Sequence, residues 1–157
     1  MKKSLAVNLI LWIAIAAAMI AFLAWYHLAG GDAAATEEAG PLMLGTALAA
    51  PMLLYAMGAV IGLLLIMFKD VQMGRTAKRI ALACGLVALA FILAGGLPAL
   101  APNTTEELAA SIVIVHYVTA AAPILIMMFG FLYALGFAPT DTSRPQPLCQ
   151  VPAQRPF

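Results

Sequence analysis

The sequence predicts an all-α membrane protein, built as a bundle of four transmembrane helices from two duplicated helical hairpins. Its 157 residues are 64% hydrophobic and 10% charged, with a mean hydropathy of +1.01, which lies outside the range of soluble domains. Four apolar segments exceed the roughly 20 helical residues that cross a hydrocarbon layer. None of the four contains Asp, Glu, Lys or Arg, and they cover residues 5–28, 42–68, 80–101 and 108–137.

The first segment, residues 5–28, follows the basic start "MKK", which also occurs in secretory signal peptides. Its apolar run of 24 residues is longer than the roughly 7 to 15 residues of a signal-peptide core. We therefore expect a true membrane span, and residues 1–137 form one transmembrane domain.

The distribution of charge predicts the orientation of these spans. All eight basic residues precede span 1, separate spans 2 and 3, or follow span 4, whereas the two alternate connections are acidic. By the positive-inside rule, the N and C termini are cytoplasmic and the protein lies in the inner membrane. The basic connection 69–79, "KDVQMGRTAKR", is first a retention signal and second a candidate anionic-lipid site, and no nucleic-acid partner is indicated.

Three landmarks occur twice in the same order, which predicts an ancestral duplication. They are "LAGG" at 28–31 and 93–96, "TEE" at 36–38 and 105–107, and "AAP" at 49–51 and 121–123. Two hairpins that enter the membrane in the same sense are parallel repeats, related by an axis along the membrane normal. Spans 2 and 4 are then equivalent, although shared membrane composition is the alternative explanation.

Spans 2 and 4 each carry two small residues four positions apart, Gly58 with Gly62 and Gly130 with Ala134. Residues at this spacing share a helix face, and small faces let helices approach closely in lipid. The pattern predicts that spans 2 and 4 pack through these faces near a pseudo-two-fold axis. Packing against a second copy is the alternative.

Pro51 and Pro123 lie toward the external side of the same spans. Each removes a backbone hydrogen bond, which predicts a helix kink, with a hinge or an opened cleft as the alternative. The last residues, 138–157, contain five of the ten prolines and no apolar periodicity, which predicts a disordered cytoplasmic tail.

The spans contain no paired carboxylates, no Cys-rich metal pattern, no nucleophile with a base and no phosphate loop, so no catalytic apparatus is evident. The strongest functional candidate is His116, because ionisable side chains inside spans are default functional hypotheses. We expect it to face the bundle and to bond Thr46 or Tyr26. Ligation of haem b, with His27 as a second ligand, and contact with a quinone are the alternatives.

The leading functional expectation is a non-enzymatic membrane protein that acts as a small subunit or interaction partner within a membrane complex, or as a homo-oligomer in the lipid bilayer. A redox subunit using His116 for haem or quinone is the first alternative. The second alternative is a small-solute permease in which Pro51 and Pro123 break spans 2 and 4.

Overall fold

The computed structural model describes residues 2–29, 45–69, 71–96 and 106–140, and they are almost entirely helical, which confirms the all-α class. A π-helical turn, Gly45–Ala49, leads into the second α-helix. The α-helices are α1 (Lys2–Ala29), α2 (Ala50–Lys69), α3 (Arg75–Gly96), α4 (Glu106–Ala121) and α5 (Pro123–Leu135). The first predicted external loop, most of the second and nearly all of the predicted tail lie outside the described residues. Glu106 and Glu107, expected in the second loop, are the first two residues of α4.

Three of these helices, α1, α2 and α3, are each long and apolar enough to cross a membrane. The predicted span 108–137, for which Pro123 predicts a kink, is divided into α4 and α5, which meet at a bend of 93°. The break occurs at Ala122, whose φ of −141° and ψ of 59° are not helical. Pro123 lacks an N–H and begins α5 as its first residue, where that missing donor costs nothing. The spans number four only if the bent pair is counted as one.

Contacts between helix ends give the direction of each helix. Near the start of α1, Asn8 meets Tyr133 at the end of α5, while Gly45, before α2, lies near Phe22 late in α1. Helix α1 therefore runs antiparallel to α2 and α5. After α2, the N–H of Met73 donates to the carbonyl of Pro139 at 3.1 Å. The described basic residues, at the start of α1, the end of α2 and the start of α3, consequently lie at one end of the bundle.

Helix α2 is the central element of the bundle. In its most apolar window 44% of residues are buried, compared with 28% in α3 and 6% in α1. The buried core is built around it and consists of Trp12, Tyr55, Ala56, Ala59, Leu63, Ile92, Ile126 and Ala134. Helix α1 packs on this core through one face only, and the rest of its surface is exposed.

Candidate functional site

Helices α2 and α5 approach each other closely at two glycines. A Cβ added to Gly58 would overlap the carbonyl oxygen of Met127, and a Cβ added to Gly130 would overlap the carbonyl oxygen of Tyr55. Backbone atoms cannot move aside as the end of a flexible side chain can. Only glycine therefore fits at either position at this helix separation.

The two other predicted packing residues lie in the same seam. A Cβ added to Gly62 would stand 2.6 Å from the Cβ of Ala134. The structure thus brings together all four small residues that the sequence places on the faces of spans 2 and 4. Close approach of this kind replaces the hydrophobic driving force that is missing between helices in lipid.

The contacts in this seam are reciprocal. The two "AAP" phrases are 72 residues apart, and at this offset Gly58 corresponds to Gly130 and Tyr55 corresponds to Met127. The contact of Gly58 with Met127 then becomes the contact of Gly130 with Tyr55, and both are observed. At the same offset Gly62 corresponds to Ala134, so these two residues meet their own counterparts.

An aromatic cluster lies beside the seam and connects three helices. The ring centroid of Trp12 on α1 is 5.3 Å from that of Tyr55 on α2 and 5.4 Å from that of Tyr133 on α5. The two tyrosine rings are 6.1 Å apart, and all three pairs are tilted or edge-on, as aromatic pairs prefer. The cluster fixes α1 against the α2–α5 pair.

The polar atoms of this cluster are largely engaged in structural bonds. The hydroxyl of Tyr55 donates to the carbonyl oxygen of Gly85 on α3 at 2.9 Å, and the hydroxyl of Tyr133 lies 3.5 Å from Oδ1 of Asn8. The indole Nε1 of Trp12 is buried and has no acceptor among the described residues. Sequence reasoning did not identify this cluster, although isolated polar residues within apolar spans were a usable signal.

His116 is exposed on the outside of α4, contrary to the expectation that it faces the bundle. The reason is that the preceding residue, Val115, is the one that points inward, with 2% of its surface exposed. Tyr117, with 68% exposed, follows His116 on the outer side. Thr46 was one of the expected hydrogen-bond partners of His116, and its side chain is not among those that the structure describes. The hydroxyl of Thr119, on the same helix as His116, donates to the carbonyl of Val115 at 2.7 Å.

Both histidines of the chain are exposed, and each has the ring of its sequence neighbour beside it. His27 is exposed at the end of α1, and the ring beside it is its own neighbour Tyr26, 5.7 Å away. The ring beside His116 is likewise its neighbour Tyr117, at 6.1 Å. Within the described ranges, no group of three or more His, Cys, Asp or Glu side chains could hold a metal ion.

The two prolines occupy different surroundings. Pro51 is fully buried in the first turn of α2, directly after the π-helical turn, and that helix continues without a break. Pro123 is exposed at the bend between α4 and α5. A helix irregularity therefore accompanies both prolines, but only the second changes the direction of the chain.

An apolar groove of about 470 Å³ lies between α3, α4 and α5, inside the bend. Its walls are aliphatic and aromatic, and they include Val87, Phe91, Val115, Leu125 and Phe129. The thiol of Cys84 is its most polar side-chain group. Such a lining suits hydrocarbon and gives a polar solute no charged or amide partner.

No protein-family model matches the sequence, and neither the curated proteins nor the solved structures include a significantly similar one. What the protein does must therefore follow from its own side chains and their arrangement.

Proposed function

We propose that the protein is a non-catalytic helical subunit of a membrane complex and that it binds its partner through the outer face of α4. This face consists of Val113, His116, Tyr117 and Ala120, which are all exposed. Their spacing of three and four residues places them on one side of the helix. The observation that carries the proposal is the outward position of His116.

A neutral imidazole has one hydrogen-bond donor and one acceptor. Lipid tails can bond neither, and an unbonded polar group in an apolar medium costs about 1–3 kcal/mol by protein mutational data. The exposed neighbours of His116 are apolar apart from the hydroxyl of Tyr117: Val113 is 50% exposed and Ile114 is 53% exposed. A second membrane protein, or a second copy of this chain, would supply the missing donor or acceptor and would cover these side chains.

The interior of the protein supports a structural role in preference to the two alternatives. The hydroxyls of Tyr55 and Thr119 are bonded to backbone carbonyls. The groove between α3 and α5 is apolar, which does not suit a permease for polar solutes. His27 and His116 are both exposed and neither lines the apolar groove, so a haem held by them would have no enclosing pocket among the described residues.

We also infer that the two halves arose by duplication and that a pseudo-two-fold axis passes between Gly62 and Ala134. The reciprocal contacts of Gly58 and Gly130 support this inference. With the basic residues at one end of the bundle, the positive-inside rule favours an inner-membrane protein with both termini in the cytoplasm.

A photo-crosslinking residue tests the proposed partner face. We would replace Tyr117 by p-benzoylphenylalanine, which keeps an aromatic ring at an exposed position, and irradiate native membranes. The matched control carries the same residue at Ile10, which is 67% exposed on α1. We expect a discrete protein adduct from position 117, identified by mass spectrometry, and none from position 10. An adduct of twice the chain mass would identify a homo-oligomer.

The substitution His116→Leu supplies the decisive comparison. We expect it to reduce the yield of the adduct at least several-fold while the purified protein keeps its thermal stability, because an exposed side chain contributes little to the isolated fold. Lipid adducts alone at position 117, or an unchanged yield in the Leu variant, would contradict the proposal. A visible absorption band that disappears with His116→Leu would favour the cofactor alternative.

A further inference from the structure

The turn between α2 and α3 concentrates positive charge at one end of the bundle. Lys69 ends α2, and Arg75, Lys78 and Arg79 occupy the first five residues of α3. The same stretch contains one acidic residue, Asp70, so its formal net charge is +3. We propose that this basic turn, Lys69 together with residues 71–79, is a binding site for the headgroup of an anionic phospholipid. The proposal is independent of the partner face on α4.

The basic turn is anchored to the neighbouring helix end. Its Met73 forms a parallel bridge with Thr140, and the N–H of Met73 donates to the carbonyl of Pro139 at 3.1 Å. The N–H of Lys78 donates to the carbonyl of Gly74 at 3.0 Å, which starts α3. These bonds hold the start of α3 in a fixed position beside the end of α5. Less conformational freedom then has to be lost when a headgroup binds.

Apolar side chains flank the charges on both sides. Phe68, directly before Lys69, is 80% exposed, and Ile80, directly after Arg79, is 59% exposed. A small soluble anion would gain no binding energy from these apolar side chains. A phospholipid can place its phosphate beside the basic groups and its acyl chains beside the exposed apolar side chains next to them, so the turn offers contacts for both parts of a lipid.

Charge complementarity gives the expected preference. Arg75 and Arg79 are one helical turn apart and exposed, so their guanidinium groups share one face of α3. One Lys or Arg near an anionic membrane surface contributes about 1 kcal/mol, which is roughly a fivefold change in affinity. The positive-inside rule alone would keep this basic turn on the cytoplasmic side of the membrane. That role needs the same charges but does not require a particular lipid to be bound beside them.

Quenching of an indole placed in the basic turn measures which lipid lies there. Phe68→Trp protein would be reconstituted in phosphatidylcholine vesicles that contain phosphatidylglycerol, with one of the two lipids brominated at a time. The same experiment on the unsubstituted protein gives the background from Trp12 and Trp25. We expect a relative binding constant that favours phosphatidylglycerol by about fivefold or more. Arg75→Gln with Arg79→Gln should bring the ratio close to one.

Two controls distinguish specific lipid binding at the basic turn from a general attraction of anionic lipids to positive surface charge. Arg75→Lys with Arg79→Lys keeps both charges and should retain most of the preference. Lys3→Gln removes an exposed charge at the same end of the bundle and should leave the ratio unchanged. Equal loss with Lys3→Gln, no preference in the parent, or competition by millimolar glycerol phosphate as effective as that by the lipid would overturn the proposal.

Discussion

Substitution of Gly58 by alanine tests the seam between α2 and α5. The new methyl group would overlap the carbonyl oxygen of Met127, so the two helices must separate or rotate. Overpacking of this kind costs about 1–3 kcal/mol, and a backbone obstacle places the cost near the upper value. Alanine regains about 1 kcal/mol of helix propensity over glycine. We therefore expect Gly58→Ala to lower the free energy of unfolding by about 2 kcal/mol.

The assay is reversible unfolding in mixed micelles, in which sodium dodecyl sulfate is titrated into a mild detergent and helicity is followed by circular dichroism. Gly45→Ala is the matched control, because a Cβ there would meet its nearest neighbour, Cε1 of Phe22, at an ordinary 3.8 Å. We expect the control to stay within about 0.5 kcal/mol of the parent. Equal stability of the two variants would refute the close approach of α2 and α5.

The double variant adds a second test of the same seam. Gly58→Ala and Gly130→Ala force apart the same two helices, so a separation that accommodates one methyl group also relieves the second. Neighbouring substitutions of this kind are not additive. We expect the double variant to lose clearly less stability than the sum of the two single losses, and strict additivity would show that the two contacts are independent.

Three further predictions follow from the contacts and charges. Tyr55→Phe should lower the free energy of unfolding by about 1 kcal/mol in the same titration, because the 2.9 Å bond to a carbonyl of α3 is lost. Gly62→Cys with Ala134→Cys, in a chain without its native cysteines, should be joined by mild oxidation or by a short thiol-reactive cross-linker. Because a Cβ at Gly62 would stand 2.6 Å from that of Ala134 and a disulfide needs roughly 3.5–4.5 Å, α2 and α5 must separate by about 1 Å for the disulfide to form. The absence of both cross-links would place the pair apart. Alkaline phosphatase fused after Glu38 should be active and fused after Arg75 inactive; the reverse pattern would invert the proposed orientation.

The spacing of small residues was informative because it depends on helix geometry alone. Gly58 and Gly62 must share a face of any α-helix, and so must Gly130 and Ala134. The sequence therefore indicated which faces could approach closely. The overlaps with backbone carbonyls, and their reciprocal arrangement, depend on the register of α2 against α5, which only the packed structure supplies.

The two "AAP" phrases show where local sequence becomes insufficient. Pro51 follows a π-helical turn and is buried in a continuous helix, whereas Pro123 begins a new helix after a 93° bend. A proline removes the same donor in both places. The outcome depends on the helices packed around it, which differ between the two halves.

The orientation of His116 was not predictable for a related reason. Apolar residues surround α4 on every side, so its sequence contains no stripe that marks an inner face. In the structure α4 is oriented so that Val115 is buried against the bundle and His116 is exposed on the outer side. The partner face proposed above could therefore be defined only once the rotation of the helix was known.

The bend at Ala122 also makes the hydrophobic thickness of the protein uneven around its circumference. The 13 residues of α5 extend about 20 Å along its axis, which is roughly 10 Å less than a typical hydrocarbon layer. Helix α2, with 20 residues, matches that layer. Hydrophobic mismatch is therefore confined to one side of the molecule, where the bilayer must thin or α4 must tilt toward its normal. We therefore expect the thickness of the membrane to influence the angle between α4 and α5.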